Sequence, residues 1–240
     1  MKQPYILAID QGTSSTKALV FNEKGKVIKK ATASLHTSYL PGGFIEQNPP
    51  DILKSVQQAC AECLQGIATE KIACLGISNQ RETLVLWDEN GEPVHPAIVW
   101  ACKRSVAVCE QIKDQEPWLK EKTGLVVDPY FSGTKLLWIL QHKPEIADRI
   151  ARGDIYFGTV DTWLLHRLTG GKAYFTDHSN ASRTLLFNLH TLGWDREIIE
   201  KWGLGGLQLP QIKSSSDNFG ETDVFGLLKA PVPVSAMIGD

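Results

Sequence analysis

The sequence predicts an α/β domain in which a mixed sheet is layered against helices. Three observations predict it. The chain opens with three apolar runs separated by turn signals, the pattern of consecutive antiparallel strands. Apolar residues then recur at helical spacing across residues 52–67. From there, strand-like runs alternate with helical stretches to the end, with no repeat, low-complexity tract or linker between them. A chain of 240 residues is long enough to bury a core without disulfides or structural metal.

Residues 5–10 (YILAID) form a short apolar run that reads as a buried strand. Residues 11–15 (QGTSS) make a loop, and residues 17–21 return as a second strand. Asn22, Glu23, Lys24 and Gly25 signal a turn before a third strand at 26–34. Asn48, Pro49, Pro50 and Asp51 then start a helix, with Asp51 expected as N-cap and its charge at the positive helix end. Ile52, Val56, Ala59, Cys60, Cys63, Leu64 and Ile67 share one face of that helix. Residues 72–78 form a further apolar strand. Residues 83–87, with a turn at 88–91, predict a hairpin. Residues 97–100 read as a strand giving way to a helix near 103–113. Helices are expected at 134–142 and 144–152 and a strand at 155–160, with Asp161 and Thr162 capping a helix that runs to Leu168. A short helix at 194–202 and a strand at 232–237 complete the reading.

Composition narrows the function classes. Hydrophobic residues make up 42% and charged residues 22%, as in ordinary globular proteins. A net charge of -2 provides neither a basic footprint for nucleic acid nor a polybasic surface for anionic lipid. No run approaches the roughly 18 apolar residues of a membrane span. The N-terminal apolar run is too short for a signal peptide and lacks a small-residue cleavage site, so a cytoplasmic protein is expected. Five cysteines do not make a disulfide framework. Cys60 and Cys63 have CxxC spacing but no second pair at a zinc-like interval, and are expected as buried thiols. Six histidines are scattered without ligand spacing.

Asp10, at the end of the first strand, precedes Gly12, Thr13, Ser14 and Ser15. Gly12 lets the backbone approach an oxygen closely, and consecutive N–H groups form an anion nest. Asp10 suits Mg²⁺, which favours carboxylates and keeps several waters. Turns between strands also use these residue types with no ligand at all. Arg81 and Glu82 follow another buried strand. In a regular strand their side chains would point to opposite faces. To face one ligand, the chain must have left strand geometry, and the pair would then clamp vicinal hydroxyls. The alternative is a surface ion pair of little worth. Trp100 is suited to walling a carbohydrate-like carbon chain or to a place in the core. Tyr130 offers a hydroxyl to a ligand or packs on the surface. Asp240 follows Gly239 after an apolar run, at the carboxyl end of a strand, where ligands of open α/β sheets bind. These residues support a phosphate and magnesium site without naming a substrate.

With these motifs the sequence resembles the FGGY carbohydrate kinases. IDQGTSST is similar to the family's phosphate loop, and ISNQRET to the polyol clamp of its glycerol-phosphorylating members. AIVWACKRS, TGLVVDPYFSGTKLLWIL, GTVDTWLL and NASRTLLFNLHTLGWD match in the same order. Family members acting on xylulose or gluconate usually carry a Gln-Met-His type segment in place of NQRET. The resemblance implies an actin-like, ribonuclease H-like ATPase fold, with residues 1–240 as the substrate-binding N-terminal domain. It implies ATP-dependent phosphorylation of glycerol to glycerol 3-phosphate. Arg81 and Glu82 would bind glycerol hydroxyls, Trp100 would pack on its carbons, and Tyr130 would bond a hydroxyl. Asp240 would be the catalytic base and Asp10 the magnesium ligand. Gly12, Thr13, Ser14, Ser15 and Lys17 would hold the phosphates of ATP, Lys17 standing where the family usually has arginine. The nucleotide-binding C-terminal domain is expected outside this chain and as its partner, the half alone inactive, and the full-length protein a homo-oligomer. With no histidine in residues 221–238, regulation through a phosphorylated histidine before the Gly-Asp pair is not expected. A kinase for another small polyol or sugar, or a polyol-binding half that catalyses nothing, would share the visible motifs.

Overall fold

β1 (Tyr5–Gln11) and β2 (Ser15–Asn22) alternate well-buried with less-buried side chains, as strands covered on one face must. In the computed structural model, which describes residues 4–240, they pair antiparallel with Asp10 opposite Lys17. β3 (Val27–Ser34) pairs antiparallel with β2, completing the expected three-stranded opening. β4 (Ile72–Asn79) lies parallel to β1 on its other side. The short β5 (Glu221–Thr222) and the long β6 (Val232–Gly239) finish a six-stranded sheet in the order β5-β6-β4-β1-β2-β3. β6 runs parallel to β4, which makes the sheet mixed.

One face of this sheet is packed. Leu7, Ile9, Val20, Leu75, Ile77, Val234 and Met237 are buried on it. α1 (Pro49–Leu64) lays Ile52, Val56, Ala59 and Cys60 against β2 and β3. Trp163, Leu164, Leu165 and Leu168 join the same core from the helix Val160–Leu168. The other face is open. It carries Asp10 and Lys17, with Ile6 and Ile238 exposed beside them. A second core gathers Leu84, Leu86, Ile98, Ile139, Phe157 and Leu186 around α2 (Ser132–His142).

Several expected boundaries move for identifiable reasons. α1 starts at Pro49 with Asn48 as its N-cap residue, because proline at the first helical positions already has helical φ and needs no hydrogen-bond acceptor. Asp51 is therefore a first-turn acid, not the cap, and the helix ends at Leu64. The hairpin at 83–91 forms no regular strand pair: it closes through a Trp87–Pro93 bridge and the hydrogen bonds Val94 N–H to the Leu86 carbonyl and Asp88 N–H to the Glu92 carbonyl. The regular partner of Val85–Trp87 is Tyr156–Gly158, a pairing between distant segments. Of residues 97–100 only Ala97–Ile98 is strand, and the helix after it is cut to Val106–Gln111. Asp161 is a first-turn acid and Thr159 the N-cap residue of the helix Val160–Leu168. Asp161 is fully buried, accepting the hydroxyls of Thr159 and Thr176. Cys60 and Cys63 are the expected buried thiols, and burial pushes Cys60 up to about 12, beyond reactivity near neutrality. Among the described residues no helix is long and apolar enough to cross a membrane, and no cluster of metal-ligating side chains forms.

Candidate functional site

The site is built where β1, β4 and β6 end together. After Asn79 the chain leaves the sheet, and the Thr83 amide donates to the Arg81 carbonyl at 2.7 Å. This three-residue turn puts Glu82 at φ +60°. Such a conformation costs on the order of 1–3 kcal/mol in a residue with a side chain. Its effect is the departure from strand geometry that lets Arg81 and Glu82 face one space. Ser132, at the start of α2, holds the turn by donating to the Glu82 carbonyl at 2.8 Å.

Glu82 is 1% exposed and accepts from Arg183 Nε at 2.6 Å. Burial raises its carboxyl above the ordinary range, and Arg183 works against that rise. The Arg183 guanidinium stacks in turn over the rings of Tyr130 and Phe131. Arg81 approaches Asp240, with Nε 3.8 Å from the carboxylate, and that buried Nε has no hydrogen-bond partner. It is a donor waiting for an acceptor. Arg81 can lie there only because residue 239 is glycine, since a Cβ at Gly239 would meet Arg81 Cδ at 2.4 Å.

Asp240 extends the sheet. Its amide donates to the Asn79 carbonyl at 3.1 Å, and the Gly239 amide to Ser179 Oγ at 2.8 Å. Ser179 donates to the buried Asp177, which also accepts from Ser215 and the Asn180 amide. Trp100 closes another side, donating from Nε1 to Thr13 Oγ1 at 2.9 Å with its ring 5.5 Å from that of Tyr130. Thr13, Gln80, Arg81, Glu82, Trp100, Tyr130 and Asp240 together line a cavity of about 160 Å³. One water occupies about 30 Å³, so the cavity suits a molecule of a few heavy atoms. Larger depressions, of about 470 and 640 Å³, lie around the Gly170 turn, away from these groups.

The phosphate-loop residues sit beside this cavity. Asp10 and Lys17 form an ion pair at 2.9 Å on the open sheet face, both partly exposed. The Gly12 amide is already bonded to the Ser15 carbonyl at 3.0 Å, which closes the turn on itself, and Ser14 is exposed. The Thr13 hydroxyl faces the cavity with the clamp. A single accessible carboxylate beside loop hydroxyls fits Mg²⁺, which is usually held by one or two carboxylates plus phosphate oxygens and waters.

The sequence brings Arg81, Glu82, Trp100, Tyr130 and Asp240 together as expected, with Asp10, Gly12, Ser14, Ser15 and Lys17 alongside. Two of the contributors without a role in the sequence reading are Gln80 and Arg183. Gln80 donates to Gln11 Oε1 and Gln47 Oε1 at 3.1 and 3.0 Å, and Gln47 donates to the Thr13 carbonyl at 2.6 Å, so a buried amide network backs the loop and the clamp. Gln80 and Arg183 lie within the ISNQRET and NASRTLLFN segments, but a glutamine or arginine there announces no partner until the chain is folded.

Residues 5–240 match the FGGY family of carbohydrate kinases, N-terminal domain. Glycerol kinase of Halothermothrix orenii is 45% identical over 245 residues, covering 100% of this chain and 49% of that protein. Glycerol kinase 1 of Thermotoga maritima is 46% identical, covering 98% of this chain and 49% of that one. The crystal structure of Plasmodium falciparum glycerol kinase with ADP aligns at a TM-score of 0.91 and 33% identity, over 99% of this chain and 49% of that chain. The chain thus spans about half the length of the curated relatives it matches.

Proposed function

This chain belongs to the FGGY carbohydrate kinases, with their actin-like fold, and we propose that it is the polyol-binding half of an enzyme that transfers phosphate from ATP to glycerol, giving glycerol 3-phosphate. The observation that carries this reading is the cavity of about 160 Å³ into which Arg81, Glu82, Trp100, Tyr130 and Asp240 converge. Glu82 accepts hydroxyl protons while the unpartnered Arg81 Nε donates to a hydroxyl oxygen, so two neighbouring hydroxyls are read by opposite partners. The indole of Trp100 and the ring of Tyr130 cover the carbon chain.

The third hydroxyl falls to Asp240. Its carboxylate takes the hydroxyl proton as that oxygen bonds to the γ-phosphorus and the bond to the ADP oxygen breaks. Positioning and charge placement supply most of such catalysis. Mg²⁺, with Asp10 as its carboxylate and the Thr13, Ser14 and Ser15 loop nearby, supplies charge neutralisation for the phosphates when bound. Lys17, released from Asp10, brings a point charge to the same phosphates in place of a planar arginine fork. The open sheet face that bears Asp10 and Lys17 is the surface proposed to meet a nucleotide-binding domain. A calorimetric panel of glycerol, erythritol, xylitol and gluconate on this chain tests the reading. Glycerol should bind most tightly. Preference for gluconate or xylitol would move the substrate within the family, and no binding by any of them would refute the polyol site.

A further inference from the structure

Beneath the aromatic wall lies a charge that the proposed reaction does not use. Lys135, in the first turns of α2, is fully buried. Its Nζ donates to the carbonyls of Pro129 and Tyr130 at 2.6 and 2.7 Å, and its distance to the Trp100 carbonyl is 3.4 Å. An ammonium has three protons to donate, and here three carbonyls receive them. Two belong to the loop that carries Tyr130 and the third to Trp100 itself. At the wall itself the two rings meet at a tilt, their planes 55° apart.

An apolar side chain of the same length would fill this space without the cost of desolvating a charge. Resting on the polyol reading of the cavity, we propose that Lys135 is the positioning residue of the aromatic wall, its ammonium fastening the backbones of Tyr130 and Trp100 at the separation that a polyol carbon chain requires. Ser132, one turn earlier on the same helix, does the corresponding service for Glu82. α2 therefore fixes clamp and wall together.

The arrangement depends on protonation. Burial lowers the Lys135 ammonium from its usual range to about 7. The titratable groups facing it are Glu82, Asp128, Cys102 and Cys109. Once deprotonated, the amine keeps two donors and turns a lone pair toward one carbonyl, and the longest contact, to Trp100, is the one released. The wall then loosens on the alkaline side.

The test follows the indole N–H resonance of Trp100, identified by its loss in Trp100→Phe, and the glycerol dissociation constant, both across pH. In the wild-type chain the indole signal should titrate with a midpoint near 7, and glycerol should bind more weakly above it. In Lys135→Met the titration should vanish, and glycerol affinity should fall about tenfold or more at every pH, as expected when charged hydrogen bonds are lost. A pH-independent indole signal in the wild type, or a Lys135→Met chain that binds glycerol as the wild type does, overturns the inference. Should Lys135→Met fail to fold, the wild-type titration still decides. Should the wild type bind no glycerol, the polyol reading fails, while the indole titration continues to report on Lys135.

Discussion

Glu82→Gln separates binding from stability in one substitution. The side chain keeps its size, so the cavity is not reshaped, but the carboxylate that accepts from Arg183 at 2.6 Å becomes a neutral amide. A hydrogen bond to a charged group contributes about 1.5–3 kcal/mol, so losing the charge under a glycerol hydroxyl should raise the dissociation constant about 10- to 150-fold. Stability should move the other way. Burial raises the Glu82 carboxyl, with Arg183 only partly offsetting it, so the neutral acid is the form the fold prefers. Stability from a group raised in this way is present below its unfolded value and is lost as pH rises through its folded one. At neutral pH the wild type therefore carries an ionised group at a cost that glutamine avoids, and Arg183, 29% exposed, can rehydrate. Calorimetric titration with glycerol, alongside thermal unfolding at neutral pH, reads both effects. A dissociation constant that changes by less than about threefold, which is under 1 kcal/mol, would refute the assignment of Glu82 as a hydroxyl acceptor.

Asp240→Asn should leave glycerol affinity within about fivefold, while turnover in the enzyme completed by a C-terminal half falls ~10²–10⁴-fold in a coupled ADP assay. Turnover above a tenth of wild type would move the base elsewhere, to Asp10 first. Gly239→Ala should displace Arg81, because the new methyl would sit 2.4 Å from Cδ. Glycerol affinity should drop at least about tenfold, the order of one lost charged hydrogen bond, as measured by titration. Lys135 is protonated in the unfolded chain up to about 10.5 but in the folded one only to about 7. Wild-type stability should therefore rise with pH between those values relative to Lys135→Met, as followed by chemical denaturation at several pH values.

The opening strands and α1 were legible because their signals are local: alternation, a turn at Gly25, and apolar positions at helical spacing. The strand 85–87 was legible only as strand, because Tyr156–Gly158, its partner, lies some seventy residues away and nothing in either segment names the other. Asp161 shows a different limit. An acid at the start of a helix reads as a cap, yet tertiary packing drew it inward to two threonine hydroxyls. At the site, the residues with distinctive chemistry stood out, including the requirement that the chain bend at Arg81 and Glu82. What stayed hidden were the groups that hold them. Arg183, Gln80 and Lys135 act through hydrogen bonds to distant partners, and Lys135 in sequence is simply a charged residue in an expected helix.

A crystal structure of this chain grown with glycerol, and cryoprotected without it, would show whether the cavity is the polyol site. Glycerol should occupy the cavity lined by Trp100 and Tyr130, with two adjacent hydroxyls on Arg81 and Glu82 and the terminal hydroxyl about 3 Å from the Asp240 carboxylate, the distance at which a base can take its proton. Glycerol bound with its terminal hydroxyls both turned away from Asp240, or an empty cavity at saturating glycerol, would contradict that assignment.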